Sequence, residues 1–169
     1  MSERLEIGEA FVGDGPHAAH LNTVLGDRRG PVAAAWTTAL ATPRSGHVAF
    51  VCVLQPGLAV KPPTLFVNKA PLAGPRHERL TWGAAQAGVA AGTLEAVADG
   101  VIVATAVDDL LLIAAVWVDP EATDEAAVYE NNRAATAAAL RAGRDRHPEL
   151  APLLARRLDP RNPFFSAPH

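Results

Sequence analysis

The first thirty residues constrain the fold most, because they contain two strand-like segments separated by a tight turn. Residues 3–12 alternate between apolar and polar types, which predicts a half-buried strand. Residues 13–16 read Gly-Asp-Gly-Pro, a typical turn sequence, and residues 18–25 form a second strand candidate. We therefore expect an antiparallel hairpin at this end of the chain.

The second strand candidate also predicts which side chains share a face. Side chains alternate along a strand, so His20, Asn22 and Val24 lie on one face and Leu21 lies on the other. A histidine and an amide are thus expected next to each other on one side of the sheet.

The remaining segments complete a mixed pattern. Helices are predicted at about 32–41, 83–98 and 124–142, with a short helix after His147, and strands at 47–55, 64–68 and 110–118. Pro31 is well placed to open the first helix, because its missing N–H group is not needed there. Hairpins mixed with helices predict a single α+β domain over residues 1–169, with a mixed or antiparallel sheet covered by helices.

Composition argues against several classes of protein. The net charge is −3 and the paired arginines lack interleaved aromatic residues, so we expect no nucleic-acid partner. No apolar run approaches the roughly 20 residues that a membrane helix needs. The one cysteine, Cys52, reads as a small core residue and fits a reducing cytoplasm.

Three polar residues stand inside apolar segments, namely His20, Lys69 and Gln86. Buried polar groups cost free energy unless they find partners, so the three invite a shared explanation. Together they supply a proton donor, a cation and an amide, which suits an enzyme or a ligand-binding protein. Each residue also has a purely structural explanation. His20 would be a hydrogen-bonded strand histidine, Lys69 a solvated strand end, and Gln86 a residue that caps or cross-links helices.

A metal site is not expected. His17 and His20 are three residues apart, but no carboxylate or cysteine accompanies them at ligand spacing. The Gly-Asp-Gly segment lacks the Gly-Lys-Ser/Thr ending of a phosphate loop. Trp36, Trp82 and Trp117 are read as core or subunit contacts.

Three motifs occur in order along the chain and carry a family resemblance. They are Gly-Asp-Gly-x-x-x-Ala-His at 13–20, Thr-Leu-x-x-Asn-Lys at 64–69 and Gly-x-Ala-Gln-x-Gly-Val-Ala at 83–90. With Asp108-Asp109-Leu110 and Asn162-Pro163-Phe164, they resemble the formaldehyde-activating enzyme family over nearly the whole chain.

The resemblance implies a fold, an assembly and a reaction. The family's fold is similar to the second domain of ribosomal protein S5, and its members form ring-shaped pentamers with ligand sites between subunits. These enzymes condense formaldehyde with tetrahydromethanopterin to give methylene-tetrahydromethanopterin and water. Tetrahydromethanopterin, or a related reduced pterin or folate, is then the expected co-substrate, with no metal or redox cofactor.

The resemblance also implies roles for individual residues. The family's catalytic histidine, a proton donor, matches His20, and its pterin contacts match Asn22, Val51, Lys69, Pro71 and Gln86. Three of these depart from the family pattern, which has aspartate, leucine and threonine where this chain has Asn22, Val51 and Pro71.

Two readings follow from a retained histidine in an altered pocket. Histidine suits general acid catalysis, because its ordinary pKa of about 6.5 lets it hold and release a proton near neutrality. Replacing aspartate by Asn22 removes a charge and adds two donors. The leading prediction is the family's condensation with His20 as general acid; the alternative is a non-catalytic paralogue that binds a pterin, a folate or an aldehyde.

Overall fold

Strands and helices follow one another along a chain whose residues 4–166 and 168 are described by the computed structural model. The strands are β1 Leu5–Val12, β2 Ala19–Asp27, β3 Ala49–Val51, β4 Val53–Gln55, β5 Leu58–Ala59, β6 Thr64–Asn68, β7 Leu110–Trp117, β8 Arg161–Asn162 and β9 Phe165–Ser166. The helices are α1 Pro31–Ala41, α2 Pro75–Arg79, α3 Gln86–Ala98, α4 Glu125–Asp145 and α5 Leu150–Ala155. A π-helical segment, Leu80–Ala85, joins α2 to α3.

One five-stranded sheet organises the fold, in the order β1-β2-β7-β6-β3. The pairs β1–β2, β2–β7 and β3–β6 are antiparallel, whereas β6–β7 is parallel. The pairs β4–β5 and β8–β9 form separate two-stranded ribbons. The predicted single-domain α+β fold with a mixed sheet is confirmed; its likeness to ribosomal protein S5 stays a prediction.

The main core lies between the sheet and the pair α3 and α4. Leu21, Phe66 and Val116 point from three neighbouring strands into this layer, where Val89 of α3 and Ala135 of α4 meet them. Burying side chains of the size of Leu21, Phe66 and Val116 stabilises a fold by roughly 1.5–3 kcal/mol each. The face of β2 that carries Leu21 is therefore committed to the core.

The opposite face of the sheet is covered only in part by α1. Val32 of α1 packs on Gly26, near the end of β2, and Trp36 Nε1 donates a hydrogen bond of 3.1 Å to the carbonyl of Leu112. His20 lies at the other end of β2, where the sheet borders a cavity instead of a helix. This uncovered corner of the sheet leaves room for a ligand-binding site.

The predicted hairpin of β1 and β2 is confirmed, but the single strand predicted over 47–55 is wrong. The chain changes partners at Cys52, whose N–H donates to the carbonyl of Thr64 and whose carbonyl accepts from the N–H of Val60. Residues before Cys52 therefore pair with β6, and those after it turn away to pair with β5.

The helix predicted at 83–98 begins earlier, at Pro75. The π-helical segment between α2 and α3 changes the angular spacing of side chains, so the regular helical period appears only from Gln86 onwards. The last long helix, α4, begins after Asp124, whose side chain accepts from the N–H of Ala127. Within the described part of the chain, no helix combines the length and apolarity needed to cross a membrane.

Replacing Gly88 by alanine tests the contact between α3 and α4. A Cβ atom at Gly88 would lie 2.5 Å from the carbonyl oxygen of Tyr129 on α4, so the helices must separate. We expect Gly88→Ala to lower the free energy of unfolding by about 1–3 kcal/mol in chemical denaturation. Gly83→Ala is the control, because nothing lies within 4 Å of its Cβ position. Equal midpoints for the two variants would contradict the close contact.

Candidate active site

His20 lies near the start of β2, with an aromatic ring and a carboxylate beside it. Its ring is 5.9 Å from that of Phe11, the residue opposite it on β1. Its Nε2 atom lies 3.1 Å from Oε1 of Glu9, two residues before Phe11 on the same strand. About 38% of the His20 side chain is exposed, so the imidazole can still meet a ligand.

Asn22 and Lys69 lie on the same face as His20. Asn22 is two residues further along β2, and its Oδ1 accepts a hydrogen bond of 2.7 Å from Lys69 Nζ. Lys69 directly follows β6, and its own N–H donates to the carbonyl of Val116 at 3.0 Å. Three of the six residues implied by the family resemblance therefore meet at one corner of the sheet.

A buried histidine fixes the loop that follows Lys69. His77 Nδ1 accepts from the N–H of Ala73 at 3.0 Å, and His77 Nε2 lies 2.9 Å from the carbonyl of Val118. A carbonyl oxygen can only accept, so Nε2 carries the proton. His77 thus ties this loop to the end of β7, beside the site.

A cavity of about 920 Å³ opens over His20 and Lys69. That volume is in the range of small-molecule sites. The sheet contributes two further walls, Phe11 and Trp117, and the β8–β9 hairpin closes the opposite side. The Phe164 ring meets Trp117 edge to face at 6.1 Å, and Asn162 Oδ1 accepts from the N–H of Phe164 to shape the turn. The cavity therefore combines flat apolar walls with a few ionisable groups.

The other three predicted contacts lie away from this cavity within the same chain. Val51, on β3, is three strands from β2 and four rows along the sheet from His20, or roughly 20 Å by strand geometry. Pro71 is exposed and packs beside Gly46. Gln86 is buried at the start of α3, where its Oε1 accepts from the N–H of Val53 at 2.6 Å.

Sequence reasoning missed Glu9, Phe11, Arg161 and Phe164 as lining residues and read Trp117 as a core or subunit contact. A signal for Glu9 was present in the alternation of β1. Leu5, Ile7 and Phe11 are the apolar members of one face, and the acidic residue Glu9 interrupts them. No local signal brings Arg161 to His20, because the hairpin reaches the site only through the folded chain.

His17 and Cys52 have structural roles. His17 Nε2 lies 3.2 Å from the N–H nitrogen of Asp124, and so ties the Gly-Asp-Gly-Pro turn to the start of α4. Burial raises the pKa of the Cys52 thiol to about 12, so it stays protonated and unreactive at neutral pH. Across residues 4–166 and 168, no group of three or more His, Cys, Asp or Glu side chains is arranged to hold a metal ion.

A histidine facing a pocket of small-molecule size is typical of an enzyme, and comparison with known proteins gives the class. The sequence model of the formaldehyde-activating enzyme (Fae) family matches residues 7–165. The chain belongs to this family. The predicted enzyme of the hydro-lyase type is thereby confirmed.

Individual relatives agree with the family. The chain is 39% identical over 158 residues to 5,6,7,8-tetrahydromethanopterin hydro-lyase of Methanosarcina barkeri, covering 94% of this chain and 89% of that protein. It is 36% identical over 155 residues to the bifunctional enzyme Fae/Hps of Methanosphaera stadtmanae, covering 92% of this chain and 38% of that protein. The bifunctional enzyme of Methanococcoides burtonii is 36% identical over 148 residues, and the match covers 37% of it.

Gln86→Leu tests whether this glutamine supports the fold. Leucine has a similar size but leaves the N–H of Val53 without its acceptor, so we expect the free energy of unfolding to fall by about 1–3 kcal/mol. Thermal and chemical denaturation measure the change, and Gln55→Leu on the exposed surface of β4 is the control. If the Gln86→Leu variant were as stable as the control, Gln86 would not be needed for the fold and ligand binding would remain as its role.

Proposed function

We propose that this protein condenses formaldehyde with tetrahydromethanopterin, or a related reduced pterin, to give the methylene derivative and water. The support is the family membership together with one geometric observation. His20, the residue matching the family's proton donor, faces the cavity beside Lys69. We take residues 1–169 as one domain of this kind, working in the cytoplasm.

In the proposed reaction His20 donates one proton and later takes one back. A secondary amine of the pterin attacks formaldehyde, and its proton moves to oxygen to give a carbinolamine. His20 protonates the hydroxyl group, which leaves as water while the nitrogen lone pair forms an iminium ion. The second pterin nitrogen attacks the iminium carbon, and its released proton returns to His20. General acid catalysis of this kind contributes typically ~10²–10⁴ in rate.

The other side chains of the cavity bind and orient. The Lys69 ammonium group, held by Asn22, offers a donor to an acceptor atom on the heterocycle edge. Phe11, Trp117 and Phe164 provide flat apolar walls for a bicyclic ring. Since the amine and formaldehyde can condense without a catalyst, holding them together supplies much of the acceleration.

A ring of subunits accounts for two of the three predicted contacts that lie away from the cavity. Val51 and Pro71 complete the site if a neighbouring subunit brings its β3 face against the His20 corner. Exposed apolar side chains support such contacts, since Leu150, Leu154 and Leu158 of the C-terminal segment are 67%, 52% and 81% exposed. Leu150 and Leu154 are four residues apart on α5 and so share one face, and a contiguous exposed apolar patch is typical of an interface. We therefore propose a homopentamer with shared sites.

His20→Ala tests the catalytic role. We expect the enzyme-dependent rate of methylene-tetrahydromethanopterin formation to fall by about 10²–10⁴, because the leaving hydroxyl loses its proton donor. The rate is measured above the spontaneous background with formaldehyde and the purified pterin. Binding of the pterin, measured by calorimetry, should change much less.

His147→Ala is the matched control, because His147 lies exposed beyond α4 and away from the cavity. It should keep the wild-type rate. If His20→Ala kept that rate as well, His20 would not be the acid. If the wild type bound tetrahydromethanopterin without accelerating the condensation, the protein would be a non-catalytic binding protein.

Light scattering coupled to size exclusion tests the assembly. We expect the mass of five chains of 17.7 kDa at micromolar concentration. Leu150→Lys with Leu154→Lys should lower that mass, since charges replace apolar contacts. A wild-type protein that stays monomeric would contradict both the ring and the shared site.

A further inference from the structure

We propose that Glu9 is a positioning residue that holds the Nε2–H group of His20 and leaves Nδ1 as the nitrogen that carries the mobile proton. The inference rests on the proposed function, because it names the atom that acts in that reaction. It concerns a residue outside the set implied by the family resemblance.

Strand register brings Glu9 to His20. Glu9 pairs with Asn22 and Phe11 pairs with His20, so the carboxylate approaches the imidazole diagonally across the β1–β2 pair on the same face. The Oε1–Nε2 distance is 3.1 Å. The Phe11 ring, at 5.9 Å, limits the positions that the imidazole can adopt. Backbone pairing therefore sets this contact without any help from a flexible loop.

The chemistry of a carboxylate decides which ring nitrogen holds the fixed proton. The 3.1 Å contact is an ion-pair distance, and an ionised carboxylate only accepts hydrogen bonds, so Nε2 is the donor in the hydrogen bond proposed between the two groups. In the neutral imidazole the lone pair then lies on Nδ1, because the hydrogen bond at one nitrogen sets the role of the other. The proton gained by a charged imidazole is carried on Nδ1 and passes from there to the leaving hydroxyl. The contact with Glu9 stays intact through the cycle.

The remaining polar groups at the cavity cannot replace Glu9. Among the described residues that line it, Glu9 is the only carboxylate. Lys69 and Arg161 are donors only, and their side chains already contact Asn22 and Asp159 respectively. Asn22 and Asn162 carry no charge, and their Oδ1 atoms already accept from Lys69 and from the N–H of Phe164 respectively.

Because the pair is exposed, the effect of Glu9 on the orientation of His20 can be measured separately from its effect on folding stability. The Glu9 side chain is 58% exposed, so solvent screens its attraction to His20 and the pair adds little to folding stability. A change at Glu9 should therefore alter the imidazole and the rate while the protein stays folded. Leucine at position 9 also fits the apolar side chains Ile7 and Phe11 on this face.

The tautomer of His20 is the first measurement. Long-range ¹H–¹⁵N correlation spectra are recorded on the unliganded wild type at a pH where the imidazole is neutral, and the His20 signals are assigned by their loss in His20→Ala. We expect the Nε2–H tautomer in the wild type and a mixture of tautomers in Glu9→Leu. A wild type that already shows the Nδ1–H tautomer, or a mixture, overturns the proposal whether or not the protein is active.

The second measurement is a double-mutant cycle on the condensation rate. Glu9→Leu should lower kcat by about tenfold or more with little change in KM. This loss in kcat should be smaller than the ~10⁴ that follows removal of a buried carboxylate orienting a catalytic histidine, because Glu9 is exposed. Glu9→Gln, whose Oε1 can still accept from Nε2–H, should recover part of the loss. In a His20→Ala background, Glu9→Leu should have no further effect. Additive losses would show that Glu9 acts independently of His20 and would overturn the proposal.

Discussion

The pairing of β2 with β1 on one side and with β7 on the other is the constraint on which the site depends. It sends Leu21 into the core beneath α3 and α4 and directs His20 and Asn22 to the opposite face. A slip of one residue would exchange the two faces, burying the imidazole and exposing leucine. The free energy of the core therefore fixes the direction in which the histidine points.

The site is held by contacts that come from distant parts of the chain. Lys69 is attached to the end of β7 through its backbone, and His77 ties the following loop to the same strand. The β8–β9 hairpin reaches the cavity through the contact of Phe164 with Trp117. Each contact limits the freedom of one wall, so the cavity is largely formed before a ligand arrives. That arrangement reduces the ordering that binding has to impose.

Alternation predicted the faces of β2 correctly, because that signal is local and the core enforces it. The break at Cys52 was not predictable in the same way, since its two backbone hydrogen bonds go to Thr64 and Val60 rather than along one strand. The early start of the second helix was hidden by the π-helical segment, which shifts the period. His20 and Lys69 were singled out from sequence and both line the cavity, whereas Arg161 joins them only through tertiary packing.

Asn22, where the family resemblance implies an aspartate, can keep the same geometry while lacking its charge. Its Oδ1 still accepts from Lys69, the contact that an aspartate at this position would also make. Among residues 4–166 and 168, no carboxylate pairs directly with Lys69, and Glu9 is engaged with His20 instead. The cavity therefore retains a cation free to attract electron-rich atoms on a ligand edge. A carbonyl oxygen of a pterin has that character, so an amide at position 22 is compatible with the proposed binding of a pterin.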